Sequence, residues 1–251
     1  MSMTQNIYDS ERFFEGYSRL QRSVEGLAGA PEWPALRAML PPLRGSRVVD
    51  LGCGFGWFCR WAADQGAADV LGLDVSEKML ARADRDNGGR TIRYQQEDLE
   101  QLALPEAAFD VAYSSLALHY VADLAKLLGT VNRTLVPHGR LVFSIEHPIY
   151  MAPRQPRWLL EPDGRRSWPL DQYLVEGERM TDWLAPGVLK HHRTLGTTLN
   201  LLIAAGFTIG HVEEWSPTEA QIRERPALAE ERERPMFLLV AAEKTKTGRN
   251  G

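Results

Sequence analysis

The chain has 251 residues, 44% hydrophobic and 25% charged, with a formal net charge of -4 at pH 7, the balance of an ordinary soluble globular protein rather than a disordered or membrane-embedded one. Its length suits one α/β domain carrying insertions better than two independent domains, and a mildly acidic chain lacks the basic footprint that grips a phosphate backbone, so no nucleic acid partner is expected. Cys53 and Cys59 are the two cysteines, which is no secreted disulfide framework, and no apolar run reaches signal-peptide or membrane-span length, so a cytoplasmic protein without a membrane partner is expected.

Residues 1–44 are predicted to form a helical cover. Asp9 or Ser10 can cap a helix on which Phe13, Phe14, Tyr17 and Leu20 recur at helical spacing, and Pro31, Pro34, Pro41 and Pro42 break the pattern. Residues 45–146 then alternate between short apolar runs and helical segments. A strand at 47–51 runs through a glycine turn, Gly52 to Gly56, into an amphipathic helix ending near Gly66. A second strand at 69–73, a helix at 77–85 capped by Ser76, and strands at 91–95 and 109–113 follow. A helix at 124–135 and a fifth strand at 139–145 complete the unit, and the alternation predicts a doubly wound, mostly parallel sheet covered on both faces.

From 147 to 193 the pattern lapses into Pro, Trp, Arg and Gly, a stretch too long for an ordinary connection and read as a functional insertion. Its arginines between Arg154 and Arg166 are read as a solvated loop. Across 194–243, a helix at 195–205 capped by Thr194 and stopped by Gly206, with strands at 208–214 and 236–242, brings the total to seven strands. Residues 244–251 are expected to be a flexible tail, and the whole chain one domain.

The sharpest chemical signal is Val49-Asp-Leu-Gly-Cys-Gly-Phe-Gly56, a strand running into three alternating glycines and then a helix. Glycine permits positive φ and lets a ligand lie against the main chain where a Cβ would intrude. A dinucleotide fingerprint needs glycine at position 57, where Trp57 stands, which weakens a nicotinamide or flavin reading. Asp50 suits a cationic sulfonium better than a pyrophosphate. Asp74, eighteen residues after Gly56 at the end of the second strand, can accept from both hydroxyls of a ribose, or simply serve as a turn acid. Asp98, followed by Leu99, can accept from an adenine amino group and has the same turn-acid alternative.

Five segments in order resemble the motifs of class I S-adenosylmethionine-dependent methyltransferases of the type 11 group over residues 45–146: Val-Val-Asp-Leu-Gly-Cys-Gly-Phe-Gly, Leu-Gly-Leu-Asp-Val-Ser with Met79, Glu-Asp-Leu, Phe-Asp-Val-Ala-Tyr-Ser-Ser-Leu-Ala-Leu-His-Tyr and Leu-Val-Pro-His-Gly-Arg-Leu. The resemblance implies a Rossmann-like fold with an antiparallel last strand and S-adenosylmethionine as cofactor. It implies that Gly52, Cys53 and Gly54 line the methionine and ribose portion, that Asp74 holds the ribose, and that Met79 or Val75 packs on adenine. Asp98 and Leu99 would then meet the adenine edge, and Ser114 would lie near the methionine moiety. Because the N-terminal helix of such enzymes often covers the cofactor, Tyr17 and Arg22 are candidates for its carboxylate. His138 stands where related sequences often carry glycine.

Methyl transfer from a sulfonium is an in-line displacement, so much of the catalysis can come from positioning in a dry pocket. An oxygen or protonated nitrogen acceptor also needs a base. His119 with Tyr120 after the fourth strand, and His147 after the fifth, fall at the carboxyl edge where such sheets bind ligands. Each histidine, and Glu146, can equally be a structural residue paired with backbone or a charge. Trp158, Trp168, Tyr173, Trp183 and the run Lys190 to Arg193 suit a lid over a flat or aromatic acceptor, or plain packing. His191 and His192 have no ligating partner at suitable spacing, so no metal is expected. Ser114-Ser-Leu-Ala replaces the Asn/Asp-Pro-Pro-aromatic motif of base-methylating enzymes, which favours a small-molecule acceptor methylated on O, N or C. The rival readings are a nicotinamide-dependent oxidoreductase on a related fold and a non-catalytic, cofactor-binding regulatory protein. The oligomeric state is left open.

Overall fold

In the computed structural model, which describes residues 5–245, the Ser10 hydroxyl accepts from the Phe13 N–H and opens α1 (Glu11–Ser18). The N-terminal cover is not one helix. A single turn, α2 (Gln21–Val24), follows, and after Gly26 at φ +62° comes α3 (Trp33–Met39). Pro34 lies in the first turn of α3 and helps start it instead of breaking the pattern, because an N–H there would have no helical partner.

The core alternates as the sequence suggests: β1 (Arg47–Leu51), α4 (Trp57–Asp64), β2 (Asp69–Asp74), α5 (Glu77–Asn87), β3 (Ile92–Gln96), β4 (Phe109–Ser115), α6 (Leu124–Thr134) and β5 (Leu135–Glu146). Strand β5 begins four residues before the predicted start, because Leu135 pairs with Phe109 ahead of a register shift that contains His138 at φ +65°. The insertion is not without regular structure. It holds a helical turn, α7 (Pro148–Met151), and two antiparallel pairs, β6 (Leu159–Leu160) with β7 (Arg166–Ser167) and β8 (Gly177–Thr181) with β9 (Val188–His192).

The chain closes with α8 (Leu195–Ala204), β10 (Phe207–Glu214), α9 (Glu219–Glu224) and β11 (Phe237–Lys244). Helix α9 was not anticipated, although its capping box, Thr218 with Gln221, stands in the sequence. Of the expected tail, Lys244 belongs to β11 and the Thr245 N–H donates to the Gly206 carbonyl. Residues 246–251 lie outside the described residues.

Seven strands form the main sheet in the order β10-β11-β5-β4-β1-β2-β3. The five central and outer strands from β5 to β3 run parallel, and β11 is antiparallel to both β5 and β10. Alternation along β1 divides the core: Val49 and Leu51 pack with α6 and α8 on one face, and Val48 packs with α3 and α4 on the other. Because β1 has β2 on one side and β4 on the other, the winding reverses there and leaves a crevice at the carboxyl ends of the strands. Among the described residues no helix is long and apolar enough to cross a membrane.

Candidate functional site

That crevice opens into a cavity of about 490 Å³, within the usual size of a small-molecule site. Its floor is made by strand ends: Gly52 and Gly54 after β1, Asp74 and Val75 at β2, Asp98 and Leu99 after β3, Ser115 to Ala117 after β4, and Glu146 at the end of β5. Tyr8, Tyr17 and Arg22 from the N-terminal cover and Trp183 from the insertion close over it. The two coverings touch: the Trp183 ring meets Phe13 edge-on at 5.6 Å and Tyr17 at 6.3 Å.

The three glycines of the first turn do different work, although all have positive φ. A Cβ at Gly54 would have only the Tyr17 hydroxyl near it, at 3.8 Å, so the peptide there is bare toward the cavity. A Cβ at Gly52 would collide with Ala117, and one at Gly56 with the Tyr94 ring. Close packing, not a ligand, therefore demands glycine at position 56.

Asp74 is tied to this turn. Its Oδ2 accepts from the Gly54 N–H at 2.9 Å and its Oδ1 from the Ser76 N–H at 3.0 Å. Burial pushes its carboxyl up to about 6 against the pull of those two donors. Asp9, expected only as a helix cap, accepts from the Ser76 hydroxyl at 2.5 Å and from the Lys78 N–H, fastening the N-terminal cover to the start of α5. Met79, Val75 and Leu99 add apolar lining, and Asp98 caps a short turn by accepting from the Glu100 N–H.

Three of the expected cofactor residues stand apart from the main cavity. Ser114 is fully buried and its hydroxyl donates to the Leu51 carbonyl at 2.7 Å; the next residue, Ser115, lines the cavity in its place, because successive strand side chains point to opposite faces. Cys53 and Asp50 line a smaller hollow behind the glycine turn, of about 80 Å³. There the Cys59 thiol lies 3.4 Å from the Asp50 carboxylate, whose acidity burial shifts to about 8. Arg22 and Tyr17 border both spaces, and Arg22 already holds the buried Glu32 through Nη2 at 2.8 and 3.1 Å.

The two candidate bases separate. His119 is buried and lines the cavity; its Nδ1 accepts from the Glu146 N–H at 3.3 Å, and burial, followed by the nearby Lys190 and Arg193 cations, holds it well below the usual histidine range. His147 does not line the cavity. Its Nδ1 caps α7 by accepting from the Ile149 N–H, and its Nε2 meets Glu214 at 2.9 Å. Both ring nitrogens thus have protein partners outside the cavity.

The residues expected to form a lid take different places. Lys190, buried on β9, lies 2.5 Å from Glu146 Oε1, with its ammonium 5.3 Å from the Trp183 ring and 5.9 Å from the Tyr120 ring. Trp158 and Trp168 do not reach the cavity. With Tyr150 they enclose the Arg234 guanidinium at 4.3 to 5.4 Å, while Glu231 pairs with it twice at 2.7 Å. The insertion's aromatic residues therefore divide between roofing the site and locking the insertion to the segment before β11.

A family model described as a methyltransferase domain matches residues 49–143. The chain is similar to the crystal structure of an S-adenosylmethionine-dependent methyltransferase from Mesorhizobium loti, at 65% identity and a TM-score of 0.85, covering 87% of this chain and all of that one. It is similar to a structure of a putative methyltransferase of the same type from Listeria monocytogenes, at 39% identity and a TM-score of 0.82, covering 88% of this chain and all of that one. A malonyl-[acyl-carrier protein] O-methyltransferase of Enterobacter lignolyticus is 39% identical over 110 residues, 44% of this chain and 43% of that enzyme. A seven-stranded sheet with an antiparallel last strand, a glycine turn opening on a cavity and full-length similarity to these structures set aside the nicotinamide reading: the chain belongs to the class I S-adenosylmethionine-dependent methyltransferases, type 11 group.

Proposed function

We propose that the enzyme methylates a small acceptor held beneath Trp183, in the same cavity that takes the cofactor. The observation that carries this reading is the continuity of that cavity, which runs from Gly54 and Asp74 at one end to His119 and Glu146 at the other under one roof. Such a roof suits a small molecule, or a small group presented on a tether, better than a folded macromolecule. The relative named for malonyl-[acyl-carrier protein] is in keeping with a compact acceptor group.

The residues present fit an adenosyl sulfonium. Asp74 would accept from the ribose hydroxyls, Gly52 and the bare Gly54 peptide would let the ligand approach, and Val75, Met79 and Leu99 would flank the adenine beside Asp98. Tyr17 and Arg22 offer a hydroxyl and N–H donors to the methionine carboxylate, with Ser115 replacing Ser114 and with Cys53 and Asp50 supporting the turn from behind. S-adenosylmethionine supplies an electrophilic methyl group and leaves as a neutral thioether. The protein's part is to exclude water through Tyr8, Tyr17 and Trp183 and to hold the acceptor atom in line. We place the reaction in the cytoplasm, a reading supported by Cys53 and Cys59, both free and buried.

The test is transfer of tritium from S-adenosyl-[methyl-³H]methionine to fractionated cell extract, alongside calorimetric titration with S-adenosylhomocysteine. Label in the low-molecular-mass fraction, or in a protein fraction from which thioester cleavage releases it, is expected; label confined to RNA or to protein that resists such cleavage would overturn the small-acceptor reading. A lack of heat with S-adenosylhomocysteine would overturn the cofactor assignment.

A further inference from the structure

Resting on that reading of the cavity, we propose that Glu146 is the general base of the reaction, positioned by Lys190, and that the acceptor it serves is a hydroxyl group on an aromatic ring. The Nδ1 lone pair of His119 faces the Glu146 N–H, so the neutral ring carries its proton on Nε2. In that tautomer Nε2 donates and cannot take a proton. His119 orients an acceptor atom; it does not deprotonate one.

Glu146 has the opposite character. Its Oε1 is held by the Lys190 ammonium, and among the described residues no protein group donates to Oε2. The carboxylate is mostly buried and lines the cavity, and it is attached at the backbone N–H that His119 accepts from. One wall therefore presents an N–H donor and a carboxylate acceptor side by side. A hydroxyl matches both. It donates its proton to Glu146, receives the His119 N–H on one lone pair, and keeps a second lone pair for the methyl group. A neutral amine has one lone pair and could not do both. A free carboxylate would meet Glu146 as a like charge and brings no proton for it to remove.

Tyr120, Tyr150 and Trp183 line this end of the cavity with ring surfaces. A carboxylate base also suits a phenolic hydroxyl better than the far less acidic aliphatic one. In the step, the O–H bond breaks and its proton passes to Glu146 as the oxygen's electron pair forms the bond to the methyl carbon. The carbon–sulfur pair returns to sulfur as the thioether. Glu146 ends neutral, and Lys190 stays an ammonium beside Trp183 and Tyr120.

The test uses two probes, catechol and 4-nitrocatechol, the second already ionised at the assay pH. Glu146→Gln is expected to lower kcat on catechol about 100- to 10,000-fold, the usual worth of a general base, with KM within about threefold, and to lower kcat less than about tenfold on the anionic 4-nitrocatechol, whose KM should not rise once the like charge is removed. Lys190→Met should follow the same pattern, with Lys190→Arg restoring activity. A readout apart from turnover is the absorbance of 4-nitrocatechol bound in the presence of S-adenosylhomocysteine. The Glu146 carboxylate opposes a second negative charge beside it, so the phenolate band should appear at a higher pH in the native protein than in Glu146→Gln. Equal losses on both probes would overturn the base assignment. Methylation of benzoate with neither catechol, or of no probe at all while S-adenosylhomocysteine still binds, would overturn the acceptor class and leave the transferase reading standing. Loss of that binding in the native protein would instead bring down the cavity reading beneath it.

Discussion

The Gly54 N–H donates to Asp74 Oδ2 at 2.9 Å, joining the turn after β1 to the tip of β2. Two segments twenty residues apart are thereby held as one surface, and the carboxylate is oriented before any ligand arrives. Pre-orientation of this kind lowers the ordering cost of binding.

Replacing Asp74 by Ala should weaken S-adenosylhomocysteine binding by about 1 to 3 kcal/mol, the worth of hydrogen bonds to a charged acceptor. Calorimetry checks it directly, and an unchanged affinity would show that the sugar is held elsewhere.

The same carboxyl sets a pH dependence. Burial raises it to about 6, so below that pH it is protonated in the free protein and accepts poorly from two hydroxyls. A ligand that favours the ionised form binds more tightly as pH rises through that value. Affinity for S-adenosylhomocysteine should be level above about pH 7 and fall by at most about tenfold per unit below pH 6. Asp74→Asn should remove this limb of the titration curve.

Gly54 and Gly56 should respond differently to a larger residue. At Gly54 a side chain projects into open cavity, so Gly54→Val should abolish cofactor binding at a cost to stability of about 1 to 3 kcal/mol from the strained φ. At Gly56 the added Cβ meets the Tyr94 ring, and Gly56→Val should lower the melting temperature more than Gly54→Val does.

His147→Ala removes the cap of α7 and should cost about 0.5 to 2 kcal/mol of stability with kcat little changed. A large fall in kcat without loss of stability would return His147 to the chemistry.

Arg234 and Glu231 are a buried pair, and removing one partner leaves the other charge uncompensated. Arg234→Ala should cost about 3 to 5 kcal/mol. Limited proteolysis should then cut first within residues 152–176, where the Trp158 and Trp168 clasp has been lost.

Much of the frame was legible because its determinants are local. The Ser10, Ser76 and Thr194 caps, the apolar runs of the seven strands and the positive-φ glycines each depend on a few neighbouring residues. The insertion was less legible: β6 and β7 are two residues each and exposed, so they carry no alternation to read. A strand end in sequence does not reveal the parity of its pleat, so the motif points to Ser114 while Ser115 lines the cavity. Charge alone marks Arg154 to Arg166 as one solvated loop, yet Arg166 stacks on Trp158 and reaches Glu230.

By itself the sequence determined the family, the sheet, the glycine turn after β1 and the acid at the tip of β2, since each is written in short spacings that the backbone must obey. The tertiary structure decided which of two similar histidines faces the cavity and which caps a helix. It also decided that Glu146 meets Lys190 across forty-four residues and that Arg234 is enclosed by the insertion's tryptophans. The physical reason is that a side chain's chemistry is set by what surrounds it in space, and contacts between distant segments leave no period in the chain.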